Sequence, residues 1–232
     1  MMADLPLWVV FAKYWQPGAV KTRLAAAMGA DPAAALYRVF LETLVRRLSP
    51  LAGVRQLRFT PFEHRRAFVD LANGGWQVEE QGGGDLGSRL QQCCTEAFQR
   101  GLRRVLILGS DSPNVPLDYL QSAAELLNRF PVVLGPSDDG GYYLVGVSGT
   151  VPPIFEEMTW STPDVWAQTV TRLQENEVPF AELPAWYDVD ELNDVERLFG
   201  DLRHVQEPEL VALRHSMVQV LSSFKGSGWK IA

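Results

Sequence analysis

Histidine, cysteine and long apolar runs are all scarce in this chain, and each scarcity removes a class of function. The three histidines, His64, His204 and His215, lie far apart, with none of the spacing that a zinc site uses. The two cysteines, Cys93 and Cys94, are adjacent within a helical pattern and badly placed to bridge distant segments. Helix packing is their expected role, and a reduced cytoplasmic protein is the simplest reading. No apolar run reaches the roughly 20 residues of a membrane helix. The start, MMADLPLWVVFAKYW, lacks the basic leader and small-residue cleavage site of a signal peptide. A surplus of positive charge is missing too: the net charge of −7 over 232 residues argues against a protein held on nucleic acid by general electrostatics. No G-x-S-x-G nucleophile elbow, internal repeat, low-complexity segment or convincing linker occurs.

What is present is an alternation of apolar strands and amphipathic helices. Strands are expected at Leu7–Ala12, Val54–Phe59, Trp76–Glu80, Val105–Leu108 and near Pro179–Leu183. Helices are expected from an Asp31-Pro32 N-cap onward, at Pro61–Leu71, Asp85–Arg100 and Leu117–Phe130, and near Pro163–Gln174, Asn193–Val205 and Pro208–Phe224. Between Val132–Leu134 and Tyr142–Val147 stands Asp138-Asp139-Gly140-Gly141, a strong hairpin signal. Such alternation implies a three-layer α/β/α sandwich on a mostly parallel sheet, and the hairpin makes the sheet mixed. One domain spanning 1–232 is expected, with a C-terminal helical extension from about 203.

Ligands of open α/β sheets collect outside the carboxyl ends of the strands, which singles out a few loops. After the first strand, AKYWQPGAVKTRL clusters Lys13, Lys21 and Arg23 around Pro17-Gly18, a pattern that suits phosphate. It lacks the glycine spacing of a nucleoside-triphosphate loop, and a solvated basic turn is the plain alternative. After the third strand, Gly82 to Gly87 satisfies G-x-G-x-x-G literally. The preceding WQVEEQ is too acidic for a central dinucleotide-binding strand, so a helix start presenting amides and Arg89 fits better. The fourth strand ends in Gly109-Ser110-Asp111, where a carboxylate can bridge a hard cation to a diphosphate, or else simply cap the next helix. A second acidic cluster, YDVDELND, supplies Asp188, Asp190, Glu191 and Asp194, the last two best read as helix caps.

Taken in order, FAKYWQPGAVKTRL, GGGDLGSRL, LILGSDSPNVP, LGPSDDGGYYLVGV and YDVDELNDVERL resemble a bacterial family assigned as glycosyltransferases with the nucleotide-diphospho-sugar transferase (GT-A type) fold, related to the cofactor guanylyltransferases. The resemblance runs from about Val9 to Leu198. It implies that Lys13, Lys21, Arg23 and Arg89, with backbone at Pro17 and Gly18, contact the nucleotide or its phosphates. It implies Asp111 as holder of Mg²⁺ or Mn²⁺, Asp190 as second metal ligand or base, and Asp139, Gly140, Gly141 and Tyr142 on the acceptor side. Where the family has Thr-Pro after D-V-D, this chain has Glu191-Leu192.

The function so implied is metal-dependent glycosyl transfer from a nucleotide-sugar to a small-molecule acceptor, with Asp190 or Asp139 as catalytic carboxylate. A nucleotidylyltransferase that acts on a phosphorylated acceptor and releases pyrophosphate uses the same residues. The first loop lacks the glycine-rich signature of that class, which favours the nucleotide-sugar. A non-catalytic nucleotide-binding module and an NAD-binding protein are the remaining alternatives. No nucleic-acid partner and no membrane span are expected.

Overall fold

The computed structural model describes residues 5–223. In chain order these form β1 (Leu7–Lys13), α1 (Thr22–Met28), α2 (Ala30–Leu48), β2 (Val54–Thr60), α3 (Arg65–Ala72), β3 (Gln77–Glu80), α4 (Leu86–Gln99) and β4 (Arg104–Leu108). Then come α5 (Leu117–Leu126), β5 (Val132–Pro136), β6 (Tyr142–Ser148), α6 (Val165–Glu175), β7 (Phe180–Glu182), α7 (Leu192–Asp201) and α8 (Pro208–Ser222).

The strands make one sheet in the order β3-β2-β1-β4-β6-β5-β7. β1 is buried from Leu7 to Ala12 because it has parallel partners on both sides and helices over both faces. Its side chains divide with the period of two that a strand imposes. Trp8, Val10 and Ala12 meet Leu41 and Leu44 of α2, Phe68 of α3 and Leu120 of α5. Leu7, Val9 and Phe11 meet Leu90, Cys93 and Ala97 of α4 and Leu173 of α6. Cys93 and Cys94 are free and buried in that second layer, where burial raises both thiols, Cys93 to about 11.

β6 runs antiparallel to both β4 and β5. β5 is therefore parallel to β4, and the turn between β5 and β6 emerges at the edge where β1 and β4 end. The C-terminal helices complete a third cluster: Leu210, Leu213 and Met217 of α8 pack with Leu36 and Phe40 of α2 and Val195 and Leu198 of α7. Arg47, 2% exposed, fixes this side, with Nε 2.5 Å from Glu207 Oε1 and Nη1 donating to the carbonyls of Pro113 and Val115.

The boundaries differ from expectation in local ways. Gly29, not Asp31, precedes α2, since one residue at φ 95° separates α1 from α2, and Pro32 falls in the first turn of α2. The Pro61–Leu71 stretch divides into a 3₁₀ turn, Phe62–His64, and α3. Of the helix expected to reach Phe224, Phe224 lies outside the described residues. No helix among those described is long and apolar enough to cross a membrane.

Candidate active site

Asp111 follows β4 and Asp190 follows β7, yet the backbone N–H of Val189 donates to the carbonyl of Asp111 at 2.9 Å and holds the two segments together. Between the two carboxylates lies Lys21. It caps α1 in the left-handed conformation (φ 48°, ψ 47°), and its side chain passes beside the Tyr37 ring. Its ammonium pairs with Asp111 Oδ1 and lies 2.8 Å from Asp190 Oδ1. Arg23 Nη2 takes the other oxygen of Asp190 at 2.5 Å.

The protonation states follow from these neighbours. Burial alone would lower the Lys21 pKa, but Asp111 and Asp190 more than offset it and hold the ammonium above its ordinary value. Burial alone would raise Asp190, whereas Lys21 and Arg23 keep it below the usual carboxylate range. Asp188 is paired directly with neither Lys21 nor Arg23, and Lys21 acts on it only weakly. Burial first, and the nearby Asp111 charge second, push it up to about 7, although Ser112 Oγ donates to its Oδ1 at 2.6 Å.

Two cavities meet at this wall. One, about 480 Å³, is lined by Lys13, Val20, Lys21, Tyr37, Gln81 and Arg89 among others. The second, about 600 Å³, is lined by Arg23, Ser137, Asp139, Gly141, Tyr142, Trp160 and Asp188 among others. Leu86, Asp111, Ser161 and Asp190 line both. A larger cavity, about 650 Å³, opens between α2 and α3 beside Trp15 and Arg38. It contains neither Asp111 nor Asp190, so the chemistry points to the smaller pair.

Most residues singled out in the sequence converge here, and a few do not. Lys13, Lys21 and Arg89 face the first cavity, and Arg23, Asp139, Gly141 and Tyr142 the second. Pro17 and Gly18 line neither, being exposed in the turn that leads to Lys21. Gly140 serves packing: at φ 88° a Cβ would lie 2.2 Å from the Pro163 carbonyl oxygen. Asp139 Oδ1 accepts from the Gly141 N–H at 3.0 Å and from Ser137 Oγ, closing the turn. Asp138, in the same turn, also reaches α7, with Oδ2 2.7 Å from Arg197 Nη1. Glu191 and Asp194 form the capping box of α7, with Asp194 Oδ2 accepting from the Glu191 N–H at 2.8 Å.

The G-x-G-x-x-G match has a local explanation. β3 is an edge strand, Asp85 caps α4 through the Ser88 N–H at 2.8 Å, and Gly87 lies against the Phe155 carbonyl. Sequence reasoning overlooked Gln81. Its Nε2 donates to the carbonyls of Ala12 and Arg58, and its Oε1 accepts from Arg89 Nη1 at 3.3 Å. A polar residue just past a short acidic strand reads as loop, which hid it. Ser161, at φ 63° between the cavities, gave no signal in the sequence.

Among the described residues no group of three or more His, Cys, Asp or Glu is arranged to hold a metal ion. Two carboxylates suffice for Mg²⁺, which completes its shell with water and phosphate oxygens. Asp111 and Asp190 are such a pair, and the second cavity sets four aspartates against Arg23, with Lys21 behind the wall. The donor set fits a hydrated divalent cation shared with phosphate.

Comparison with known proteins agrees with this architecture. No curated protein matches the chain. Among solved structures, a candidate nucleotide-diphospho-sugar transferase from Desulfovibrio desulfuricans G20 is 30% identical, with a TM-score of 0.86 over 96% of this chain and 99% of that one. A cytidylyltransferase from Leptospira borgpetersenii shares the fold at 12% identity, with a TM-score of 0.56 over 99% of this chain and 100% of that one. A nucleotidyl transferase from Methanothermobacter does so at 18% identity, with a TM-score of 0.56 over 84% of this chain and 95% of that one. The α/β sandwich is thus of the nucleotide-diphospho-sugar transferase type. Residues 44–162, just over half of the chain, match the family described as "Uncharacterized protein conserved in bacteria (DUF2064)", and the chain belongs to that family.

Proposed function

We propose that the chain transfers a sugar from a nucleotide-diphospho-sugar to a small-molecule acceptor, with Mg²⁺ or Mn²⁺. The observation that carries this reading is the wall shared by the two cavities, where Asp111 and Asp190 stand with Lys21 between them. A donor seated in the first cavity would bring its diphosphate to that wall and its sugar to the mouth of the second. Lys13 and Arg89 in the first cavity, with Lys21 and Arg23 at the wall, would neutralise the charge that grows on the departing diphosphate. Asp111 and Asp190 would hold the divalent cation, which supplies Lewis-acid stabilisation to the same leaving group.

Asp190 suits holding better than proton transfer, because cations occupy both its oxygens. Asp139 lies in the second cavity and would take the acceptor proton in an inverting transfer. Gly141 and Tyr142 would line the acceptor beside it. The loop before α1 carries one glycine, Gly18, in an exposed turn, which supports a nucleotide-sugar over a triphosphate that needs a cradle of loop amides. The Desulfovibrio relative, described as a candidate nucleotide-diphospho-sugar transferase, supports the same class.

A thermal-shift panel of nucleotides and nucleotide-sugars, each with and without Mn²⁺, tests the proposal. Metal-dependent stabilisation by nucleoside diphosphates or nucleotide-sugars is expected. Stabilisation by CTP or GTP alone, with pyrophosphate released on turnover, would move the chain to nucleotidyl transfer. No metal-dependent hit would count against both.

A further inference from the structure

We propose that Lys21 is a built-in counter-cation of the Asp111–Asp190 pair, one that a divalent cation replaces only when a phosphate-bearing ligand takes the ammonium over. The identity of that ligand rests on the transferase reading; the exclusion rests on geometry. The Lys21 side chain is 2% exposed, and its ammonium engages Oδ1 of both aspartates. A divalent ion drawing on the same two carboxylates would stand directly against a buried positive charge and be repelled by it. Arg23 already takes the remaining oxygen of Asp190. Ammonium and metal therefore compete for one place.

The backbone makes Lys21 a suitable part to move. A left-handed φ of 48° is uncommon for a long side chain and persists only where the surroundings hold it. The Ala25 N–H holds its backbone carbonyl at 2.7 Å, and the side-chain contacts run through the ammonium to the two aspartates, while the Tyr37 ring lies farther off, its centroid 5.9 Å from Nζ. Lys21 also lines the first cavity, so a diphosphate seated there offers the ammonium new anionic partners without a large excursion. Each ligand then frees what the other needs, and the two bind with positive coupling.

Mn²⁺ titrations of the full chain without nucleotide, followed by the electron paramagnetic resonance signal of free Mn²⁺, test this directly. Lys21→Met is expected to bind Mn²⁺ more tightly than wild type, by on the order of tenfold or more. Lys21→Arg, which keeps the charge, should bind as weakly as wild type, and Asp111→Asn added to Lys21→Met should cancel the gain. Thermal melts report folding, and Mn²⁺ should raise the Tm of Lys21→Met more than that of wild type. Lys21→Gln, which keeps a hydrogen-bond donor without the charge, gives the same reading where the Met variant does not fold. Equal Mn²⁺ affinity in wild type and the neutral variants overturns the displacement while leaving metal-assisted transfer standing. Absence of Mn²⁺ binding in every form, even with ADP, CDP, GDP or UDP present, overturns both.

Discussion

The Tyr37 hydroxyl lies 2.7 Å from Ser110 Oγ and accepts from the Lys13 backbone N–H at 3.0 Å. One buried side chain of α2 thus joins the ends of β1 and β4 just where Lys13 and Asp111 leave the sheet. Burial and the Asp111 charge push its hydroxyl up to about 12, so it stays protonated across the working range of pH. The position of Asp111 is accordingly set by the scaffold and does not await a ligand.

Asp111→Asn keeps this scaffold and removes the charge. Transfer is expected to fall about 10²-fold in kcat, as for loss of one leaving-group stabiliser. Nucleotide affinity without metal should be little changed. Steady-state kinetics beside calorimetric titration of a nucleoside diphosphate check the split, and unaltered kcat would remove Asp111 from the mechanism.

Asp139→Asn is a clean test of the acceptor side, because an amide oxygen can still accept from the Gly141 N–H and Ser137 Oγ and so preserve the turn. Transfer should drop on the order of 10²-fold, the usual scale for loss of a general base. Binding of the nucleotide-sugar should remain. Unchanged transfer would return Asp139 to turn chemistry.

Gly87→Ala places a Cβ 2.0 Å from the Phe155 carbonyl oxygen and 2.8 Å from Trp160 Nε1. The chain from Phe155 to Trp160 must shift, at roughly 1–3 kcal/mol of stability. Since Trp160 lines the second cavity and not the first, the acceptor KM should rise while nucleotide affinity holds. A fall in nucleotide affinity alone would contradict the assignment of the two cavities.

Glu96→Gln probes the network behind the sheet. Arg58, 3% exposed in its side chain, places Nη2 2.5 Å from Glu96 Oε2. Burial alone would raise the Glu96 carboxyl, but Arg58 and Gln92 hold it below its ordinary value. A depressed folded pKa adds stability above the unfolded value, near 4.3, and loses it as pH falls through the folded value. At pH 7 the variant should be less stable by about 2 kcal/mol, and the gap should narrow progressively as pH falls below the unfolded value. Urea unfolding at several pH values reads both, and a constant gap would detach the effect from Glu96 ionisation.

The strands were legible because buried parallel strands are nearly continuous apolar runs, and Asp111 stood out as the polar break at the end of the most apolar one. The hairpin was legible from its Asp-Gly step. The Lys21 bridge was not, since it joins residues 169 positions apart along the chain and exists only once β7 lies at the sheet edge. The Asp138–Arg197 pair was hidden for the same reason, Arg197 lying on a helix that folds back over the turn. Tyr37 was hidden by its own pattern: on an amphipathic helix it looks like any other core aromatic, and only its hydroxyl contacts distinguish it.

β6 runs away from the functional edge, so residues 149–164 must climb back to it without a helix or strand of their own. On the way they touch down at two glycines, Gly87 beneath Phe155 and Gly140 beneath Pro163. The segment behaves as a cassette fastened at two studs: apart from Ser161, which lines both cavities, its sequence can be rewritten between them while the sheet, the acids and the rest of the first cavity stay as they are. Relatives that keep both studs and Ser161 but differ between them should share a donor and diverge in acceptor, which exchange of residues 156–160 between two such relatives would reveal.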